Sequence, residues 1–361
     1  MRLSDVTGHD RVRAILARAL ERDRLPPALL LAGPSGVGKK TLALAVAQAA
    51  LCERAPAADA CEACPTCRRV SRAASKEGLD ASREEAARHP DEDEWCNFRL
   101  HPDLVLVEGW WLTRGGRPRP EPEIRVGQVR ALVAEVPGAP FEARRRVFVV
   151  DEAHGMNESS QNALLKSLEE PPPRSHLILV TAQPQELLDT IRSRCQTLRF
   201  GPLPRAAVAR HLSERLGLPE DDADLRAALG AGSLGDALAF ESESYRTARA
   251  EVLSLLEKVG RMDALGRMEQ AEALDQAGEP NLVLTTLRSL LRDVAAARAG
   301  APPSALLNAD VAGRVAALAA GPLGPRAAEL AGKAGEAREA LRGFANKLLT
   351  LDLLVDALSD G

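Results

Sequence analysis

The sequence predicts an α/β fold, in which a parallel sheet flanked by helices is followed by an all-helical C-terminal part. Short apolar runs at residues 29–32, 147–150 and 177–181 are typical of buried strands. Each run ends at a glycine or a polar residue. Between the runs lie longer segments whose apolar residues are three and four positions apart, which indicates amphipathic helices. From about residue 244 onward, only the helical spacing continues.

The first strand leads directly into a turn with the layout of a phosphate-binding loop. The turn has the sequence GPSGVGKKT, and an alanine- and leucine-rich helix follows it. Glycines let backbone N–H groups close around phosphate oxygens, and the helix N-terminus adds partial positive charge. A glycine-rich turn that binds nothing is the alternative, because short motifs also occur by chance. The candidate nucleotide-binding residues here are Gly33, Pro34, Gly36, Val37, Gly38, Lys39, Lys40 and Thr41.

One position departs from the phosphate-loop pattern. After Lys39, whose ammonium would reach the outer phosphates, the pattern has a serine or threonine whose hydroxyl binds Mg²⁺. This chain has Lys40 there, and Thr41 lies about 100° further round the helix. A second ammonium at this place would weaken or replace the metal. The sequence therefore predicts a loop that holds phosphates, and it leaves open whether ATP and Mg²⁺ are bound and whether ATP is hydrolysed.

Two acidic residues follow the strand predicted at 147–150. Ligands of open α/β sheets bind at the carboxyl ends of the strands, where Asp151 and Glu152 would lie. With a phosphate loop upstream, Asp151 would face the nucleotide's metal and Glu152 would polarise the attacking water. A solvated acidic turn is the alternative. Thr181 ends the next predicted strand and is the last candidate for nucleotide binding.

Four of the six cysteines lie within sixteen residues. Cys52, Cys61, Cys64 and Cys67 are spaced C-x8-C-x2-C-x2-C, and four thiolates can close a tetrahedral Zn²⁺ site. The loop between them has little apolar surface, so a metal would supply order that a core does not. With all four positions taken by protein, the predicted zinc is structural rather than catalytic.

The residues after the cysteines differ in composition from the predicted strands and helices. Residues 71–100 are charged and alanine-rich with no clear apolar face, so we expect an exposed excursion with a short helix at 80–88. Cys96 and His101 lie near its end, and four cysteines already suffice for a zinc site, so neither is predicted as a ligand.

Helical spacing predicts four helices near the C-terminus, at 245–260, 261–277, 280–299 and 336–358. The last of these carries a regular apolar stripe. Its members are Leu341, Phe344, Leu348, Leu351, Val355 and Leu358. The sequence does not separate a core role for this stripe from a role in oligomerisation.

Composition excludes several classes of function. The net charge of −4 leaves no overall basic footprint for DNA binding, and with 3% aromatic residues base stacking is not expected as a main activity. The sequence has no run of eighteen apolar residues, and its start is too polar for a signal peptide. We therefore expect a cytoplasmic protein without membrane partners.

Four sequence features together resemble one family, the bacterial clamp-loader subunits of DNA polymerase III, which are AAA+ proteins of the RecA-like kind. These features are GPSGVGKKT, the four spaced cysteines, VVDEAHGMNESSQNALLKSLEEPP and TIRSRCQTLRF. The resemblance covers about residues 1–240. It implies a RecA-like AAA+ domain at 1–200 with a zinc module at 52–67 and an insertion at 71–100, a helical lid at 201–243, and a helical collar at 244–361.

Within this family, the chain is similar to the delta-prime type of subunit. Motor subunits (gamma and tau) carry a hydroxyl residue after the loop lysine and a sensing arginine, where this chain has Lys40 and Gly235. Delta-prime subunits carry the zinc module and an SRC motif but have an idle nucleotide site. The resemblance implies that Arg194 of this SRC motif enters the ATP site of a neighbouring motor subunit as an arginine finger in trans, and that Glu152 is vestigial or weak.

The resemblance also implies partners. These are the gamma/tau motor subunits and the delta subunit, with the sliding clamp and primer-template DNA reached through the complex. The first alternative is a motor subunit that hydrolyses ATP itself, with Thr41 serving the metal. The second is an AAA+ DNA remodeller or helicase outside replication, against which the cysteines and the SRC motif argue.

Overall fold

The computed structural model describes residues 1–112, 118–276, 280–342 and 346–359. The chain divides into two compact units. One comprises Met1–His211 with Ala231–Gly235, and the other comprises Leu212–Gly230 with Asp236–Gly361. The division into three domains at residues 200 and 243 stays a prediction.

The first unit is built around a six-stranded sheet with the strand order β2-β3-β6-β7-β1-β8. All its neighbours pair in parallel except β2, which is antiparallel to β3. A separate antiparallel hairpin joins β4 to β5. The strands are β1 (Ala28–Ala32), β2 (Asn97–His101), β3 (Leu104–Val107), β4 (Trp110–Leu112), β5 (Pro118–Glu123), β6 (Arg146–Val150), β7 (Ser175–Thr181) and β8 (Gln196–Arg199).

Helices cover both faces of this sheet. The helices of the first unit are α1 (Asp10–Glu21), α2 (Lys39–Leu51), α3 (Pro65–Ala73), α4 (Lys76–Ala87), α5 (Val126–Glu135), α6 (Glu158–Glu169), α7 (Asp189–Arg192) and α8 (Arg205–Leu216), the last of which continues into the second unit. Successive residues of a strand face opposite sides, so Leu29 and Leu31 pack with α1 and α2, whereas Leu30 packs with α5 and α6. This two-sided burial explains the near-continuous apolar runs of the central strands.

The prediction that residues 71–100 form an excursion outside the fold is wrong, although most of their side chains are not buried and the predicted helix at 80–88 overlaps α4. The segment holds the end of α3, the whole of α4 and most of β2, which pairs with the edge of the sheet. Ser75 caps α4 by accepting a hydrogen bond from the N–H of Gly78 at 3.1 Å. Six apolar side chains in this segment are buried, and the last three alternate along the chain into β2, but the many charged and alanine residues around them obscure the pattern. They are Ala74, Leu79, Ala86, Cys96, Phe98 and Leu100.

The second unit is helical throughout the residues that the structure describes. Beyond the end of α8, its helices are α9 (Glu220–Leu229), α10 (Leu234–Ala239), α11 (Ser242–Lys258), α12 (Ala264–Gln276), α13 (Pro280–Arg298), α14 (Ala312–Ala320), α15 (Ala327–Arg342) and α16 (Lys347–Ser359). The first two residues of α10 belong to the first unit. Together with the parallel sheet and its flanking helices, this confirms the predicted fold class. Along the described ranges, no helix combines the length and apolar character needed to cross a membrane.

The prediction of one helix over 336–358 is wrong, because α15 and α16 are separate helices there. Leu351, Val355 and Leu358 of the predicted stripe are buried, but Leu348 is 40% exposed. Phe344 lies outside the described residues. The stripe is therefore a core face over its C-terminal half.

A buried carboxylate anchors the loop before β6. Asp103, 1% exposed, accepts hydrogen bonds from the backbone N–H groups of Phe141, Glu142 and Ala143 at 2.6, 2.8 and 2.8 Å. We expect Asp103→Ala to lower the free energy of unfolding by about 3 kcal/mol, because it removes charge-assisted bonds and leaves donors unsatisfied. Urea unfolding measures the change, with the exposed Asp91→Ala as control. Equal midpoints for both variants would contradict this account.

Candidate functional site

The loop between β1 and α2 depends on its glycines for close backbone approach. Gly36 has a φ of +71°, and a Cβ there would overlap the hydroxyl of Ser233. A Cβ at Gly33 would overlap the backbone of Phe200. Of the remaining predicted loop residues, Val37 is buried, whereas the hydroxyl of Thr41 is on an exposed side chain that makes no hydrogen bond within the described residues. The role of Thr41 as a nucleotide ligand stays a prediction.

Lys39 is folded back onto the loop. Its Nζ donates hydrogen bonds to the carbonyl oxygens of Gly33 and Pro34 at 2.7 and 2.6 Å. The residue is 6% exposed, and this burial lowers the pKa of Lys39, although the carboxylates of Asp151 and Glu152 oppose the shift. The loop lysine thus lies inside the loop, close to the acidic end of β6.

Lys40 lies between two carboxylates. Its Nζ forms ion pairs with Glu108 and with Asp151, the latter at 3.1 Å from Oδ2. Burial alone would lower the pKa of Lys40, but Asp151 and Glu108 outweigh burial, and the pKa is raised. Lys40 is consequently a charged ammonium held where α2 begins.

Glu108 is in turn held by an arginine from α4. Arg83 donates two hydrogen bonds to the Glu108 carboxylate, from Nε to Oε2 and from Nη2 to Oε1, both at 2.9 Å. Burial would raise the pKa of Glu108, but the bonds from Arg83 and the charge of Lys40 lower it. Arg83, Glu108, Lys40 and Asp151 therefore form one continuous chain of ion pairs, which we call the charge cluster.

The charge cluster lines a cavity of about 540 Å³. Two members of the charge cluster, Glu108 and Arg83, were not predicted from the sequence. Glu108 follows β3, at the edge where the parallel strands end, and that position was a usable signal. Arg83 lies on α4 in a segment without a motif or a period, and nothing in the sequence marked it. The other lining residues are Glu84, Ala87, Gly109, Trp111 and Glu152.

The ends of β6 and β7 bring the remaining candidates to the same edge of the sheet. Thr181 is fully buried, and its carbonyl accepts a hydrogen bond from the N–H of Gly33 at 3.2 Å. The hydroxyl of Thr181 accepts from the N–H of Gln183 at 3.0 Å. Glu152 has a φ of +47° and an exposed side chain that makes no hydrogen bond or ion pair within the described residues. The loop, Asp151, Glu152 and Thr181 are thus assembled in one place.

Gly235 packs directly against the phosphate loop. Its N–H donates to the carbonyl of Gly36 at 2.8 Å, and a Cβ at Gly235 would lie 3.0 Å from the Gly36 Cα. That separation is tighter than ordinary van der Waals contact. An arginine at this position would require the loop or the turn to move.

Arg194 lies at the surface after α7, and its side chain is 35% exposed. Its Nη1 donates to the carbonyl of Thr190 at 3.0 Å, and its Nη2 forms an ion pair with Glu169 at 2.8 Å. None of these partners belongs to the phosphate loop or the charge cluster. The hydrogen bonds and the ion pair of the guanidinium are therefore made outside the nucleotide site of its own chain.

The four predicted cysteine ligands form a second candidate site. The sulfur atoms of Cys52, Cys61, Cys64 and Cys67 all lie within 4.8 Å of one another. A tetrahedral site with Zn–S bonds of about 2.3 Å has sulfur–sulfur distances of about 3.8 Å. The 3.9 Å between the sulfurs of Cys61 and Cys67 is close to that distance. The four side chains therefore fit a metal ion.

Local structure orients these sulfurs. The N–H of Cys64 donates to the sulfur of Cys61, and the N–H of Cys67 donates to that of Cys64, both at 3.4 Å. Asp59, in the same loop, accepts hydrogen bonds from the N–H groups of Leu3 and Ser4 at 2.8 and 3.0 Å. The cysteine loop thereby fixes the start of the chain.

Comparison with known proteins places this architecture in a family. A family model described as "DNA polymerase III, delta subunit" matches residues 8–204, more than half of the chain. The DNA polymerase III subunit delta' of Bacillus subtilis is 34% identical over 205 residues, and that of Pseudomonas aeruginosa is 35% identical over 235 residues. The matches cover 57% and 64% of this chain and 51% and 61% of those proteins. The chain thus spans between half and two thirds of their length.

Relatives of the gamma/tau type have a comparable sequence identity to this chain. The DNA polymerase III subunit gamma/tau of Mycobacterium tuberculosis is 34% identical over 242 residues, which cover 65% of this chain and 36% of that protein. Among solved structures, a gamma subunit-related protein of Thermotoga maritima is 15% identical with a TM-score of 0.37, and 96% of this chain and 98% of that chain are covered. The match to the family model, supported by the two delta' relatives, shows that this chain belongs to the delta' clamp-loader subunit family of DNA polymerase III.

Proposed function

We propose that this chain is a delta-prime-type scaffold of the bacterial clamp loader, which does not hydrolyse ATP itself but completes the ATP site of a neighbouring gamma/tau motor subunit. The observation that carries the proposal is the ion pair between Lys40 and Asp151. In phosphate-loop ATPases, a loop hydroxyl and an acidic residue at this strand end hold Mg²⁺. Here the acidic residue faces an ammonium instead.

The residues present do not fit that magnesium ion. Position 40 supplies a cation rather than a hydroxyl, and Thr41 is exposed. Gly235 packs on Gly36 where motor subunits would place an arginine. Lys39, Asp151 and Glu152 remain in place, and with the gamma/tau relatives they support a motor subunit as the second candidate.

Arg194 supplies the chemistry in this proposal. Its exposed guanidinium, held by Thr190 and Glu169, would exchange the Glu169 carboxylate for the phosphoryl oxygens of a nucleotide bound to the neighbouring subunit. An arginine finger of this kind stabilises the charge of the transition state and contributes about 10³–10⁵ in rate. The delta subunit, the sliding clamp and primer-template DNA are the further proposed partners, and the cytoplasm is the proposed location.

The cysteine cluster has a structural role in the proposal. Four thiolates would close the coordination shell of Zn²⁺ and leave no position for a substrate. The ion would hold the loop that binds Leu3 and Ser4. Residues 201–243 and 244–361 would serve as the lid and the oligomeric collar.

The isolated chain should release no phosphate from ATP above the level of its Lys39→Ala variant, because Lys40, paired with Asp151, stands at the position of the metal-binding hydroxyl. Steady-state phosphate release with saturating Mg²⁺ measures this. Turnover at about one per second or faster, a normal rate for an enzyme, would refute the scaffold proposal and favour the motor subunit.

Arg194→Ala should leave assembly of the reconstituted loader intact and lower its DNA-stimulated ATP turnover by about 10³ at the site that this chain completes. The matched control is Arg192→Ala, which removes an exposed arginine two residues away that forms an ion pair with Asp189 on its own helix. Size-exclusion chromatography verifies assembly. Equal turnover for the two variants would remove the finger role.

One zinc ion per chain is expected by elemental analysis. Cys64→Ala should lose it and lower the melting temperature, since three thiolates hold zinc less tightly and the loop depends on the metal. Cys96→Ala, which removes a buried cysteine outside the cluster, should keep the full zinc content. A wild-type protein that contains no zinc would contradict a structural zinc. A melting temperature that a chelator leaves unchanged would also contradict it.

A further inference from the structure

The charge cluster is electrically balanced by the protein alone. Its two cations, Lys40 and Arg83, are paired with its two carboxylates, Glu108 and Asp151, so these four groups carry no net charge without a divalent ion. A magnesium ion beside Lys40 would add charge to a balanced site and would compete with an ammonium for Asp151.

Residues outside α2 hold the ammonium of Lys40 at the position where a phosphate-loop ATPase binds its metal. The Glu108 carboxylate receives two hydrogen bonds from Arg83 and the ion pair from Lys40, so both of its oxygens are engaged. Asp80, one turn before Arg83 on α4, pairs with Arg83 Nη1 at 2.8 Å and orients the guanidinium. A bidentate arginine pair of this kind is geometrically specific. Asp80 and Arg83, both in the segment at 71–100, thus hold the Glu108 carboxylate in place beside Lys40.

The loop nevertheless keeps the donors that bind phosphate. Within the described residues, the backbone N–H groups of Gly36, Val37 and Gly38 make no hydrogen bond. They stand at the N-terminus of α2, a thirteen-residue helix. Successive unpaired N–H groups at a helix N-terminus form an anion-binding concavity. The anion site is therefore intact, whereas the metal site is filled by a side chain.

We propose that Lys40, clamped by Glu108 and Arg83, is the resident cation of this site, so that the site takes a nucleoside phosphate free of Mg²⁺. This deepens the proposed function and rests on it, because a motor subunit needs the metal. The ligand is a nucleoside di- or triphosphate whose phosphates meet the three free N–H groups and Lys39. The segment that carries Arg83 keeps the ammonium on Asp151 and the divalent ion out.

Titration calorimetry of the full chain with ADP and with ATP, in excess EDTA and in excess Mg²⁺, tests the proposal. The wild type should bind in EDTA, and Mg²⁺ should leave the affinity unchanged or weaken it. Lys40→Thr restores the hydroxyl and frees Asp151, so Mg²⁺ should tighten its nucleotide binding tenfold or more. Arg83→Gln leaves the carboxylates in excess and should introduce a smaller dependence on Mg²⁺. Arg88→Gln, an exposed arginine at the end of the same helix, is the matched control and should behave as the wild type.

The outcomes separate this inference from the scaffold proposal. A wild type that binds nucleotide only with Mg²⁺, or binds none in either condition, overturns the resident cation, even if the chain hydrolyses no ATP. A wild type that hydrolyses ATP overturns the scaffold proposal and this inference together. Thermal unfolding of each variant verifies that it is folded, and a Lys40→Thr protein that is folded yet still indifferent to Mg²⁺ also overturns the assignment.

Discussion

The parallel pairing of β3, β6, β7 and β1 is the constraint on which the site depends. These strands are buried on both faces, so their registers are fixed by packing on two sides at once. Parallel strands finish at a common edge, and that edge collects the phosphate loop, Glu108, Asp151 and Thr181 from distant parts of the chain. The strand order of the sheet therefore brings Lys40, Glu108 and Asp151 of the charge cluster close together.

Much of this arrangement could be predicted, because it depends on local patterns. The phosphate loop must have glycines, the central strands must be apolar throughout, and four thiols must be closely spaced to surround one ion. Each requirement leaves a signature of a few adjacent residues. Even the departure at Lys40 was visible, since the loop pattern assigns a definite role to that position.

The rest depends on contacts between residues far apart in sequence, which no local pattern encodes. Arg83 reaches Glu108 across 25 positions, and nothing in the sequence around either residue indicates the pair. The edge strand β2 was missed because only some of its residues are buried, so its apolar character is diluted. The sequence shows that position 235 has a glycine where motor subunits have an arginine. Its close packing on Gly36 is a tertiary contact, which the sequence does not show.

The direct contact of Gly235 with Gly36 couples two positions that are distant in sequence. A side chain at position 235 would press on the phosphate loop, because a Cβ there lies 3.0 Å from the Gly36 Cα. A neutral hydroxyl residue at position 40 would leave Glu108 with one cation fewer in a buried place. Both substitutions act on the same loop, so their effects on stability are not expected to add as those of independent sites do.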